Sequence, residues 1–170
     1  KAYCESLIAA QREEIREGGI RIRKGAWCVS PSAAGMSSDA RVDYIFIPTY
    51  LAVSILVKVK TCFPAVADAI QGFDDSLRMG LDFAAARKFK GHGYEAMAGF
   101  FGAMEIFKSG GVISFMKNNP EFSPPFHSAL IESVKELENR LASGDVTDGF
   151  DGGDISCRMR VALSDIRVTS

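Results

Sequence analysis

The chain has 170 residues and a net charge of −1, with 47% hydrophobic and 24% charged residues. This length and composition predict a single globular domain over residues 1–170 that can bury a substantial core. The balanced charge gives no general attraction for nucleic acid, so an argument for such a partner depends on local patches.

The longest apolar run, 45–57, is too short to cross a membrane. It covers about 13 residues and includes Pro48, whereas a span needs about 20. We therefore expect no membrane partner and assign the run to a core helix. The start of the chain lacks a signal-peptide pattern, which favours a cytoplasmic protein, although a leader removed before Lys1 stays open.

The four cysteines do not form a metal-binding pattern. Cys4, Cys28, Cys62 and Cys157 are far apart, and none belongs to a CxxC motif. A core of this size does not need disulfides, so free thiols in a reducing compartment are favoured. Pairing of Cys28 with Cys157 stays open if the terminal strands lie together. We expect neither a metal nor a cofactor.

The first 41 residues predict a peripheral helix, a strand and a loop. Ala2–Glu17 has a thin apolar stripe and is expected to end at Gly18-Gly19. Ile20–Arg23 alternates strictly, which is the period of a half-buried strand, and Trp27–Val29 can continue it. The stretch 30–41 is rich in Ser, Gly and Pro and predicts a loop.

Two helices are predicted next. Pro48 fits a first helical turn and opens a buried helix over Thr49–Thr61, although its Val and Ile content leaves a strand open for 52–59. A short helix, Ala65–Gln71, follows Pro64 and is expected to end at a glycine.

The middle of the chain predicts two further helices rich in small residues. Asp74 is a candidate N-cap for the first of them. Gly80 lies inside this helix at a cost of about 1 kcal/mol, which is easiest to explain where another backbone passes close. The second helix, Tyr94–Lys108, is apolar nearly all round and should be central. Gly110-Gly111 is expected to end it.

A short helix or turn over Val112–Lys117 leads to the best-defined helix of the sequence. Ser123 is its predicted N-cap, and Pro124-Pro125 fit its first turn. The helix, Phe126–Ala142, has one apolar stripe and one charged face. We expect it to end at Gly144.

The C-terminal segment alternates apolar and polar residues over 155–168, which predicts a strand. A strand needs a partner for its backbone groups, and the only other good candidate lies within 18–30. The fold predicted from the sequence is therefore mainly α. Five to six helices pack in antiparallel hairpins, and 18–30 and 155–168 form a small antiparallel β-ribbon.

The turn Gly91–Glu95 is the first candidate site. Glycines on both sides of His92 leave its imidazole accessible, and Tyr94 or Glu95 could orient it for acid–base chemistry or ligand binding. His127 would line the same pocket if the two helix starts point the same way. A tight helix–helix turn explains the same residues without any chemistry.

Two charged patches are weaker candidates. The loop 144–154 carries Asp at every third position, but it lacks the alternate spacing and closing Glu of an EF-hand, so a solvated acidic linker is favoured. The terminal strands would form a basic ribbon that the acidic loop or an acidic partner could neutralise. We do not expect nucleic-acid binding from it. Its basic residues are Arg21, Arg23, Lys24, Arg158, Arg160 and Arg167.

Two functional hypotheses follow, and they leave open whether the protein is an enzyme. The first is a non-catalytic binding or assembly domain that uses helix faces and strand edges for a protein partner or for self-association. The second is a small enzyme or small-molecule-binding protein. Its pocket would be formed by the candidate ligand-binding residues His92, Tyr94, Glu95 and His127.

Overall fold

The computed structural model describes residues 1–13, 15–17, 20–22, 24–28, 45–86 and 103–143. This part of the chain is mainly helical, as predicted. Its elements are α1 (Ala2–Ala9), β1 (Ile15–Glu17), β2 (Ile20–Ile22), α2 (Ile47–Cys62), α3 (Pro64–Asp68), α4 (Phe73–Ala86), α5 (described over 103–109), α6 (Val112–Asn118), a 3-10 turn (Pro120–Phe122) and α7 (Pro124–Ser143).

The N-terminal helix is shorter than the predicted Ala2–Glu17. It ends at Ala9, and Ile15–Glu17 pairs as an antiparallel strand with Ile20–Ile22. The apolar stripe of the predicted helix is thin, so a helix over residues 10–17 would bury little apolar surface. The backbone hydrogen bonds between Ile15–Glu17 and Ile20–Ile22 form instead. The strand predicted at Ile20 is present. Its predicted partner, 155–168, lies outside the described residues.

The middle helices form where the sequence predicts them, with shifted ends. Pro48 lies in the first turn of α2, and the strand alternative for 52–59 is wrong. The next helix, α3, stops at Asp68, before the predicted Gln71. Asp74 lies inside the first turn of α4, which begins at Phe73, and is not its N-cap. Its carboxylate is held by Lys60 at 2.7 Å.

Gly80 lies against two side chains from other segments of the chain. A Cβ at Gly80 would lie 2.8 Å from the indole of Trp27 and 2.8 Å from Cγ2 of Val53. The prediction that another backbone passes close to Gly80 is therefore wrong, because the close neighbours are the side chains of Trp27 and Val53. The missing side chain lets the N-terminal segment and α2 approach α4.

An aromatic series through the core connects α2, α5 and α7. The ring of Phe107 lies 5.1 Å from that of Tyr50 and 5.3 Å from that of Phe126, both edge to face. Phe107 and Phe126 are fully buried. The described part of the apolar helix predicted over 94–108 is therefore central. Outside this centre, α4 packs against both α2 and α7.

None of the helices in the described ranges is both long and apolar enough to cross a membrane.

Candidate functional site

The first turn of α7 holds His127, which is half-buried. Its backbone N–H donates to the carbonyl of Ser123 at 3.1 Å. The Ser123 hydroxyl accepts from the Phe126 N–H at 3.3 Å and donates to Asp82 Oδ1 at 2.6 Å. Ser123 therefore caps α7 as predicted and joins it to α4. The Ser123 side chain is fully buried, and these two bonds supply the partners that a buried hydroxyl requires.

The other three predicted pocket residues, His92, Tyr94 and Glu95, lie outside the described residues. Their convergence with His127 consequently stays a prediction, as does the acidic loop 144–154. Among the residues that the structure describes, no three His, Cys, Asp or Glu side chains are grouped to hold a metal ion.

Gln11 joins the N-terminal segment to α4. Its Nε2 donates to the carbonyl oxygens of Gly25 at 3.1 Å and Ser76 at 2.9 Å. Its Oε1 accepts from the Ser76 hydroxyl at 2.7 Å. Ser76 is buried, and these bonds supply the partners that buried polar groups require. The sequence does not predict this contact, because no local pattern connects residues 65 positions apart.

Trp27 anchors the same segment a second time. Its indole Nε1 donates to the carbonyl of Leu7 at 2.7 Å, and its backbone N–H donates to Thr49 Oγ1 at 3.0 Å. The Thr49 hydroxyl in turn donates to the carbonyl of Ile45 at 2.6 Å. The indole is almost completely buried. Two anchors, Gln11 and Trp27, therefore hold the ends of the segment that contains β1 and β2.

Between these anchors the chain forms an antiparallel hairpin, called the N-terminal hairpin below and built from β1 and β2. At its base, the Gly25 N–H donates to the Arg12 carbonyl at 3.0 Å, and the Arg12 N–H donates to the Ala26 carbonyl at 2.8 Å. Gly25 and Ala26 thus both lie opposite Arg12. Gly25 has a φ of 104°. This is a bulge with glycine at its first position, which bends and twists the strand.

The register of the N-terminal hairpin places Arg16 directly opposite Arg21. Like charges at directly opposite positions destabilise a sheet. Nearer the base, Lys24 Nζ lies 3.2 Å from Glu13 Oε2, with both side chains largely exposed, so this pair adds little stability. Of the predicted basic ribbon, Arg21 and Lys24 are in the described part. The other four predicted members lie outside the described residues: Arg23, Arg158, Arg160 and Arg167.

A second charged cluster surrounds Phe122. Lys60 Nζ lies 5.7 Å and Arg78 Cζ 5.4 Å from the centre of its ring. Lys60 is also paired with Asp74 at 2.7 Å, and Arg78 with Asp75 at 3.3 Å. Both cations thus already have carboxylate partners. The cluster is best explained as a structural contact, in which Lys60 of α2 and Arg78 of α4 hold Phe122 of the 3-10 turn in place.

Large apolar side chains are exposed on α2 and directly after it. Ile47 and Leu51 are 37% and 47% exposed and lie one helical turn apart. Phe63, directly after the helix, is 61% exposed. Single exposed apolar residues are common on soluble proteins, so these residues supply an alternative contact surface without identifying a partner.

Among the cysteines, Cys4 is buried and Cys62 is exposed, while Cys28 is half-buried next to the base of the hairpin. Burial raises the pKa of the Cys28 thiol, and the positive charge of Arg12 opposes this rise in part. Cys157 lies outside the described residues, so its pairing with Cys28 stays a prediction.

We expect Cys28 to react with iodoacetamide more slowly than Cys62, because its thiol is half-buried and its raised pKa lowers the thiolate fraction at a given pH. Since the folded-state pKa is raised, the contribution of Cys28 to stability is complete below the unfolded-state pKa and is lost as pH rises through the folded-state pKa. Cys28→Ser should therefore flatten the decline of stability above about pH 8.5. An equal decline in both proteins would contradict this.

No protein-family model, curated protein or solved structure matches this chain.

Proposed function

We propose that this protein is a non-catalytic binding and assembly domain that self-associates through the N-terminal hairpin. The observation that carries the proposal is the two-stranded sheet β1–β2, which no third strand joins within the described ranges. Each strand of such a sheet has backbone donors and acceptors along its outer edge. These edges are templates for an added strand.

The anchoring of the hairpin supports this role. A two-stranded hairpin is marginally stable in water on its own. Here Gln11 and Trp27 fix its base to the helices, and the bulge at Gly25 sets its direction. A strand that is already ordered loses less conformational entropy when it binds a partner. The helical body thus acts as a scaffold that presents a preformed edge.

The C-terminal segment is the intramolecular candidate for one of the two edges. We propose that 155–168 lies antiparallel to the second strand of the hairpin and completes the terminal β-ribbon with 18–30. The carboxylates of 144–154 would offset the arginines that this pairing brings together. The edge of β1 is then left for the partner. The free thiols Cys4 and Cys62 support the cytoplasmic location that we propose.

Light scattering over a range of concentrations tests the proposal. We expect the wild-type chain to form a dimer or larger assembly at high concentration. Ile15→Pro removes an N–H of the hairpin ladder, so it should disrupt β1 and weaken this association at least about tenfold. The helical circular-dichroism signal should persist, because the substituted residue lies outside the helices.

Leu51→Lys is the matched control for association through a helix face. It places a charge on the exposed surface of α2 and should leave the assembly unchanged. If Leu51→Lys abolishes association while Ile15→Pro does not, the helix face is the interface and the hairpin is not. A wild-type chain that is strictly monomeric at millimolar concentration would refute the assembly role.

A further inference from the structure

We infer that the N-terminal part of the fold is a strap that opens separately from the helices, and that its attachment at Gln11 regulates the assembly edge. The strap consists of α1, the N-terminal hairpin and residues 24–28. Its effect on assembly rests on the proposed function, whereas its opening is measured without reference to association.

The strap packs against the helices at few points. β1 and β2 pack mainly against each other. Among the described elements, neither α1 nor either strand makes an extended contact with the helices from α2 onward, whereas α4 packs against both α2 and α7. A segment with few contacts to the rest of a fold opens at a lower free energy than the core. We therefore expect the strap to open while the helices stay folded.

Internal hydrogen bonds hold the strap together as one unit. The indole of Trp27 donates to the carbonyl of Leu7 in α1 at 2.7 Å. At the base of the hairpin, Arg12 exchanges backbone hydrogen bonds with Gly25 and Ala26. Each of these bonds joins a residue before the hairpin to a residue after it. None of them involves α2 or a later helix, so they persist when the strap opens.

Two side chains attach this unit to a single turn of α4. Gln11 binds both the carbonyl and the hydroxyl of Ser76. One helical turn further on, the indole of Trp27 lies where a side chain at Gly80 would otherwise be. The turn 76–80 of α4 therefore receives both anchors of the strap.

The two anchors differ in strength. The Trp27 side chain is nearly completely buried, and its backbone is held in addition by Thr49 of α2. The three hydrogen bonds of Gln11 join neutral groups and are only partly buried. The net contribution of such bonds is modest, because water can replace them. Opening of the strap therefore begins at Gln11.

Gln11 also couples this attachment to the hairpin. Its Nε2 donates at once to the carbonyl of Gly25 in the bulge and to that of Ser76 in α4. When both bonds break, the bulge is no longer fixed to α4, and a two-stranded hairpin is marginally stable alone. The assembly edge is then no longer preformed. Because such coupling is reciprocal, association should also slow the opening. Gln11 is therefore a positioning residue for assembly.

Gln11→Glu tests this attachment. The new side chain has nearly the same shape, but a carboxylate cannot donate to either carbonyl. We expect the amide protons of Arg12 and Gly25 to exchange with solvent at least about tenfold faster than in the wild type. Amides in the middle of α2 and α7 should exchange at the wild-type rate. Ser76→Ala removes a single bond and should accelerate the same two amides about threefold.

Ser54→Ala is the matched control. Ser54 is also a buried serine of a helix, and its hydroxyl donates to the carbonyl of Ile106 at 3.1 Å. This bond joins α2 to α5 and does not involve the strap. The variant should therefore leave the exchange of Arg12 and Gly25 unchanged, and it should associate like the wild type.

Light scattering completes the test, and Gln11→Glu should associate at least about fivefold more weakly than the wild type. Unchanged exchange at Arg12 and Gly25 in this variant, or equal acceleration throughout α2 and α7, would overturn the separate opening of the strap. Faster exchange with unchanged association would overturn its regulation of assembly. A strictly monomeric wild type would refute the proposed function and this regulation together, while the exchange rates would still decide whether the strap opens.

Discussion

Gly25→Ala is expected to lower the free energy of unfolding by about 3 kcal/mol or more. Gly25 has a φ of 104°, a region that costs a residue with a Cβ about 1–2 kcal/mol. A Cβ at this position would also collide with the backbone carbonyl of Met79 in α4. The helix cannot move away easily, because Gln11 binds the carbonyls of both Gly25 and Ser76.

Gly72→Ala separates the two contributions. Gly72 also has a positive φ, 75°, but a Cβ there meets nothing within 4 Å. It should therefore lose only the backbone term of about 1–2 kcal/mol. Urea unfolding of both variants measures the difference. Equal losses would mean that the hairpin base does not press against α4.

Phe107→Ala is expected to have an effect of similar or larger size, about 3–5 kcal/mol. The side chain is fully buried, and its ring contacts Tyr50 and Phe126 edge to face. Truncation would remove both ring contacts and leave a cavity where α2, α5 and α7 meet. Such a loss is a large share of the stability of an ordinary domain.

Phe63→Ala is the matched control, since the same side chain is removed at a position that is 61% exposed. It should cost less than about 1 kcal/mol. Thermal and urea unfolding should rank the two variants in this order. A Phe107→Ala protein as stable as Phe63→Ala would show that the aromatic series is not the centre of the core.

The helical part of the fold could be predicted because its signals are local. Pro48 marks the first turn of α2, and the Ser123 hydroxyl accepts from the N–H three residues later, as a cap does. The face of α4 that carries Leu77, Leu81 and Ala84 is buried. Errors occur mainly at helix ends, where one capping residue competes with tertiary contacts. Asp74, for example, binds Lys60 instead of capping.

The N-terminal segment could not be predicted in the same way, because distant contacts determine its shape. The alternation at Ile20 indicates a strand, but nothing before Gly18 shows that Ile15 belongs to the same ladder. Gln11 stabilises the segment through Ser76. Gly18-Gly19 fits a two-residue hairpin loop as well as a helix end, so the local sequence does not decide between them. The charges of Glu13 and Lys24 also pair across the hairpin, but this signal is recognisable only when the register is known.

Of the candidate pocket, the structure places only His127, at the start of α7. Its surroundings include a buried cap that links Ser123 to Asp82. The sequence predicted the cap from Ser123 and the two following prolines. It could not predict that a carboxylate from α4 would accept a hydrogen bond from the Ser123 hydroxyl, because this contact depends on how two helices cross.

Light scattering of the wild-type chain and of Ile15→Pro is the most direct test of the central claim, that the hairpin edge is the site of assembly. We expect a concentration-dependent dimer for the wild type and a monomer for Ile15→Pro at the same concentration, with helix content retained in both. Equal masses for the two proteins at every concentration would contradict it.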